Sequence, residues 1–270
     1  MIPTPDSPAW TQIRDGASGS VALAVDFDGS GRREATFRDF VKILPGEFPV
    51  WHAVSPPDNE DAPLTPPQYI DWWLTLPQAG VRAVFGYCAG SVFASALADA
   101  LAERTGTRPP VVLFNPGTPT ITTLDRDFSG VVAGLTILTD DERALLLDRA
   151  GSIREQHAAD FHEVCRQYLA LYLEGCATSF ERFGIDAEVG AELTQLFRGY
   201  IRYLVAANDT GYRDHWARAT ALTAREQAGN GFSAAETVLD LTRADLLRDS
   251  ATAELTYQLL NAGVEVGHDH

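Results

Sequence analysis

Short apolar runs alternate with longer amphipathic stretches through the first half of the chain, and that rhythm sets the expected architecture. VALAV (21–25) is an apolar run that stops at DFDGSG, the pattern of a buried strand entering a turn. FPVWHAV (48–54) is a second such run, closed by SPP. YIDWWLTLPQAG (69–80) sets Ile70, Trp73 and Leu74 on one helical face and ends at Pro77 and Gly80. VRAVFGY (81–87) reads as a third strand and SVFASALADALAERTG (91–106) as a helix closed by Gly106. VVLFN (111–115), bounded by prolines, reads as a fourth strand. Strands alternating with helices predict a mostly parallel sheet covered on both faces, with right-handed crossovers.

The period then changes. Thr139 and Glu142 form a T-x-x-E capping box that opens a helical stretch. Ile153, His157, Phe161, Val164, Tyr168 and Leu171 follow at spacings of three and four, and Leu193, Phe197, Tyr200 and Leu204 make a second stripe. An all-helical insertion over 139–207 is expected, dividing a sheet-forming core into 1–138 and 208–270. ATALTA (219–224) resumes strand character. TVLDL (237–241) fits a last strand, although Ser233 and Glu236 before it also fit a helix cap. ATAELTYQLLNAG (251–263) is a closing helix stopped by Gly263.

Composition narrows the partners more than the fold. A chain of 270 residues suits one large α/β domain, or a core with an inserted subdomain. A net charge of -16 argues against nucleic acid and anionic membrane, which would repel it. Three cysteines without regular spacing form neither a disulfide framework nor a zinc site, so a reducing, cytoplasmic setting is expected, with no metal. The first residues have no basic start and no apolar h-region, so no signal peptide is expected. No apolar stretch approaches the roughly 20 residues that span a bilayer. DFDGSG lacks the lysine and spacing of a phosphate-binding loop.

The chemistry concentrates in VFGYCAGSVFASALA (84–98), where strand, Gly-Tyr-Cys-Ala-Gly and helix follow one another. This is the context of a nucleophile elbow, G-x-[S/C]-x-G. A nucleophile held in that tight turn needs small neighbours two residues either side. Its side chain then projects above the carboxyl edge of the sheet. The adjoining helix N-terminus favours a thiolate, and the amide of Ala89 can donate to a developing oxyanion. The plainer reading of Cys88 is a small buried residue, as free cysteines usually are.

With these residues in view, the chain resembles the thioesterase family of α/β-hydrolases that work with nonribosomal peptide and polyketide synthases. VFGYCAGSVFASALADAL is similar to that family's elbow and following helix, with Cys in place of the usual Ser. VALAVDFDGSGRREATFRDF resembles its first core strand and oxyanion loop, and the helical insertion falls where the family carries its lid. The resemblance implies an α/β-hydrolase fold with Cys88 as nucleophile. It implies oxyanion donors at the backbone of Ala89 and of Phe27 or Asp28. It places the triad acid after the fourth strand, at Asn115, or after ATALTA, at Glu226. An amide such as Asn115 carries no charge but can orient a histidine, as in Cys-His-Asn enzymes. The family's histidine position falls in DLTRADLLRDS, which offers Arg243 and no histidine.

Of the six histidines, His52 reads as a core group within a strand, and His215 precedes its strand, at the wrong edge. His268 and His270 are terminal, whereas His157 and His162 lie in the helical insertion. His157 shares the apolar stripe and is the candidate base. A cysteine depends on a base less than a serine does, and a neighbouring arginine such as Arg243 favours its thiolate.

The resemblance therefore implies an enzyme that takes an acyl or peptidyl group from a carrier-protein thioester. No cofactor is expected beyond the phosphopantetheine that bears the substrate. Release would follow by hydrolysis, cyclisation or transfer. Two other readings stay open: a catalytically degenerate hydrolase that binds acyl chains or docks a carrier protein, and a cysteine hydrolase of small lactones.

Overall fold

Parallel strand pairing gathers the strand ends that matter at one edge of a single sheet. In the computed structural model, which describes residues 7–28, 34–57, 64–76, 80–211, 215–229 and 233–262, seven strands form the sheet. They are β1 (Trp10–Arg14), β2 (Ser20–Val25), β3 (Val50–Ala53), β4 (Gly80–Tyr87), β5 (Val111–Phe114), β6 (Thr220–Ala224) and β7 (Ala235–Leu239). Their order is β1-β3-β2-β4-β5-β6-β7. Only β1, on β3, pairs antiparallel; the other five pairings are parallel. The chain builds outward from β2 to β3, then crosses to the other side of β2 with β4. Cys88 follows β4 at the carboxyl edge, beside that reversal of strand order.

The central strands are apolar along their whole length because both faces are covered. All of β5, and all of β2 except Ser20, is buried. On one face, Phe85 and Phe114 pack with Phe37 and Phe40 at centroid distances of 5.1–6.4 Å. Those two rings come from a four-residue helix, α1 (Phe37–Phe40), capped by Thr36 and Asp39. α2 (Pro66–Trp73) and α3 (Gly90–Thr105) pack together through Tyr69, Trp73 and Phe93. α3 ends at Gly106, whose φ of 79° is the left-handed C-cap that glycine supplies without strain.

Three elements were not expected. β1 buries one residue, Trp10, whose indole donates to the Trp73 carbonyl at 3.0 Å; a mostly polar edge strand has no apolar alternation to read. α1 is too short to show a period. α4 (Ile121–Gly134) begins in a Thr-rich stretch that reads as loop, yet Thr120 and Thr123 cap it and it buries Leu124, Phe128 and Val132. α2 also starts earlier than position 69, because Thr65 and Gln68 form a capping box and Pro66 occupies the first turn. TVL of TVLDL settles as strand, and Asp240 and Leu241 lie beyond it: β7 pairs with β6 from Ala235 to Leu239. Pro77 and Gly263, read as helix stops, lie outside the described residues.

The chain divides into two compact units, one built on the sheet and one running from Pro119 to Asn208. The second holds α4, α5 (Asp140–Gln156), α6 (Phe161–Phe183) and most of α7 (Ala187–Asp209). It starts before residue 139, because α4 packs into it: the Phe128 ring lies 4.6 Å from that of Tyr168. The Tyr168 hydroxyl donates to Asp125 at 2.6 Å. The closing helix of the sheet unit is α8 (Ser250–Ala262). No described helix is long and apolar enough to cross a membrane.

Candidate functional site

β4 ends at Tyr87, and Cys88 turns the chain into α3 with a φ of 50°. A non-glycine residue there carries a strain of about 1–3 kcal/mol, which its surroundings must hold in place. The Cys88 amide donates to the Phe114 carbonyl at 3.0 Å, extending the ladder with β5. The Cys88 carbonyl accepts from Ser91 at 3.0 Å, opening the helix. Gly86 makes the turn possible. A Cβ there would stand 2.7 Å from both the Ala94 Cβ and the Ser91 Cα, so only glycine lets α3 approach the strand this closely. Cys88 is partly buried, whereas Cys165 and Cys176 are buried. Burial pushes the Cys165 thiol up to about 12. Ala89 is the N-cap residue of α3, at the end where amides have no carbonyl partner within the helix.

The sulfur's partner is Arg243. Its Nη2 donates to Cys88 Sγ at 3.3 Å, across 155 positions of sequence. Arg243 follows β7, so parallel pairing carries it to the same sheet edge as the elbow. Three contacts anchor it. Its backbone N–H donates to Glu226 Oε1. Its Nε lies 3.3 Å from Glu34 Oε1, an ion pair without hydrogen-bond alignment. Ala35, next to Glu34, donates its amide to the carbonyl of Ala244, next to Arg243, at 3.1 Å. Burial works against the guanidinium's charge, but the Cys88 sulfur, the Tyr87 side chain and the Glu34 carboxylate outweigh it and hold its pKa above the ordinary value.

The other sequence candidates take varied places. Asn115 follows β5 at the same edge, with a φ of 46° and full burial. Its Oδ1 accepts from the Ala224 amide at 2.7 Å, tying β5 to the end of β6; what it orients is main chain. Glu226 lies in a short 3-10 turn after β6, Arg225–Gln227, and its carboxylate holds the Arg243 backbone. Phe27 and Asp28 follow β2 at this edge, and Asp28 accepts from Arg38 at 2.9 Å. His157 is the C-cap of α5 in the helical unit, its Nε2 bonded to Gln167 at 3.0 Å. His162 lies in the first turn of α6. His52 is buried within β3. His215 precedes β6, at the opposite edge, with its Nδ1 2.6 Å from Asp99. His268 and His270 lie outside the described residues.

Sequence reasoning missed Glu34. It is one charge in a polar loop, GRREAT, with no spacing to mark it. No group of three or more His, Cys, Asp or Glu among the described residues could hold a metal ion.

No protein-family model matches this chain, and no curated protein sequence matches it. Solved structures do. One is a Vlm2 thioesterase domain with genetically encoded 2,3-diaminopropionic acid and a bound dodecadepsipeptide. It is 17% identical, covers 94% of this chain and 97% of its own, and has a TM-score of 0.50. Another is a variant of the meta-cleavage product hydrolase CumD, 14% identical, covering 94% of each chain at a TM-score of 0.50. At these identities the likeness establishes the fold alone: the chain has the α/β-hydrolase fold.

Proposed function

We propose that this protein is a thioesterase-like enzyme whose Cys88 attacks an acyl or peptidyl thioester borne on the phosphopantetheine arm of a carrier protein. The acyl group would then leave by hydrolysis, cyclisation or transfer to another nucleophile, in natural-product biosynthesis. The observation that carries this reading is the partly buried Cys88, set at the sheet edge by a left-handed turn, with the Arg243 Nη2 3.3 Å from its sulfur. A thiolate is the nucleophilic form of cysteine, and a guanidinium that keeps its charge favours that form. The start of α3 supports it further, because helix N-termini stabilise negative charge. The carbonyl of a bound thioester would turn its oxygen toward the Ala89 amide, with the backbone of Phe27 or Asp28 as second donor.

A second reading has its own support. The Asn115 Oδ1 is taken by the Ala224 amide, and Arg243 accepts no proton. Both features fit a degenerate hydrolase that binds acyl chains or docks a carrier protein.

Intact-mass measurement separates the readings. The protein is incubated with an acyl-loaded carrier protein and with the matching acyl N-acetylcysteamine thioester. The expected result is a mass gain of one acyl group that is absent in Cys88→Ala. No gain with any thioester donor would sink the enzymatic reading and leave the binding one. Turnover of soluble lactones without a carrier would point to a small-molecule hydrolase instead.

A further inference from the structure

We infer that the amino-terminal edge of the sheet, opposite the Cys88 edge, carries a binding site for a phosphate group, held by Arg14 and Arg82. The site is separate from Cys88 and independent of its chemistry. Two interruptions of strand pairing build it. In β1, Gln12 stands opposite Trp51 and Arg14 opposite Val50, so Ile13 is an extra residue. In β4, Val81 stands opposite Val21 and Ala83 opposite Ala22, so Arg82 is the extra one. Successive residues of a regular strand face opposite ways. Here neighbours share a side. Ile13 and Ala83 belong to the core cluster that contains Phe48. Arg14 and Arg82, next to them in sequence, each set a guanidinium carbon 5.1 Å from the centroid of the Phe48 ring. Bulges re-aim side chains in this way, and two of them, in separate strands, bring two cations to one ring.

The surroundings fix the two forks without cancelling their charge. Phe48 is 2% exposed. A Cβ at Gly46 would stand 2.9 Å from both Phe48 Cε1 and Tyr257 Cε2, so the loop before β3 and helix α8 close on the ring's edge. Arg14 Nη1 donates to the Leu44 carbonyl at 2.9 Å, and Arg82 Nη2 donates to Asn261 Oδ1 at 2.7 Å. Both acceptors are neutral. Arg82 Nε is enclosed and makes no hydrogen bond to a described residue. Burial holds the Arg14 pKa below its ordinary value, and the Glu47 carboxylate offsets that only in part. Two partly desolvated cations against one ring repel each other, and an anion shared between them removes that cost. A single carboxylate is satisfied by one guanidinium fork. A phosphate presents tetrahedral oxygens to donors from two directions, with up to two charges for two cations.

Thermal melts of the full chain test the site. Inorganic phosphate and glycerol phosphate are titrated at about pH 7.5, where phosphate is mostly dianionic, with sodium chloride holding the ionic strength constant. The expected result is a saturable rise in Tm that chloride does not give, about 3 °C at ten times the Kd. A rise with both compounds assigns the site to phosphate monoesters, and a rise with inorganic phosphate alone assigns it to the free ion; each supports the inference. Arg82→Gln is expected to lose the rise, whereas Arg243→Gln, at the opposite edge, keeps it. Arg82→Lys, a milder change that keeps the charge and loses the fork, is expected to weaken phosphate about tenfold. No saturable rise in the wild-type protein beyond that of chloride would overturn the inference, whatever the variants do. So would a rise that survives Arg82→Gln or disappears in Arg243→Gln, because the anion would then bind elsewhere.

Discussion

Cys88 and Asn115 share an unusual backbone, left-handed at φ 50° and 46°, and both sit where a parallel strand leaves the sheet. Their side chains meet opposite demands. Cys88 is only partly buried and sits beside a cation, and Asn115 is sealed in and bonded to the Ala224 amide. Cys88→Ser is therefore expected to lose acylation by about 100-fold or more, because a hydroxyl needs a base to ionise it and an arginine cannot be that base; acylation followed by intact mass checks this. Asn115→Ala removes a buried acceptor and leaves a Cβ residue at positive φ. It should cost about 1–3 kcal/mol in urea unfolding, while the alkylation rate of Cys88 in the folded protein stays within about twofold. The turn at Cys88 was legible because strand, Gly-Tyr-Cys-Ala-Gly and helix make a local spelling. Glu34 was not, since an ion pair has no sequence signature when its partner lies more than two hundred positions away.

At the scale of elements, the strand–elbow–helix unit is the most locally encoded part of the protein, and Gly86 is its weak point. Gly86→Ala forces α3 away from β4, because the new Cβ has backbone within 2.7 Å and nowhere to move. A loss of about 1–3 kcal/mol is expected in thermal or urea unfolding, as for other overpacked sites. Unchanged stability would mean that the helix does not pack as described. The strands β2 to β6 and the helices α3 and α5 were readable from local spelling: short apolar runs mark the strands, Gly106 closes α3, and Thr139 with Glu142 opens α5. β1, α1 and α4 were not, each for a separate reason. β1 is a polar edge strand held by pairing, α1 is one turn long, and α4 is a helix whose threonines favour extended backbone until tertiary packing overrides them.

At the scale of the whole molecule, Asp99 ties distant segments of the sheet unit together. Its carboxylate meets Arg108 and Arg218 at 2.6 Å each and His215 at 2.6 Å, joining α3 to the chain that enters β6. Burial raises its pKa, but the Arg108 and His215 donors and the Arg218 charge outweigh that and hold it below the ordinary carboxylate value. A pKa lower in the folded than in the unfolded state gives stability that is complete above the unfolded value. That stability is lost as pH falls through the folded value. Asp99→Asn should then unfold about 1 kcal/mol more easily at pH 7, after allowance for solvent screening. The gap to wild type should close as pH drops below about 4. Thermal melts at pH 7, 4 and 2.5 check both.

The sequence alone determined the α/β architecture, the turn with its cysteine, and a net charge of -16, because period, turn spelling and net charge are properties of neighbouring residues or of simple sums. Only the tertiary structure decided what stands beside the sulfur. Arg243 reaches Cys88 across 155 positions, Glu226 holds its backbone, and Asn115 turns to Ala224. Those contacts exist because parallel pairing brings the carboxyl ends of β4, β5, β6 and β7 to one edge, and strand register acts between segments that no local pattern connects.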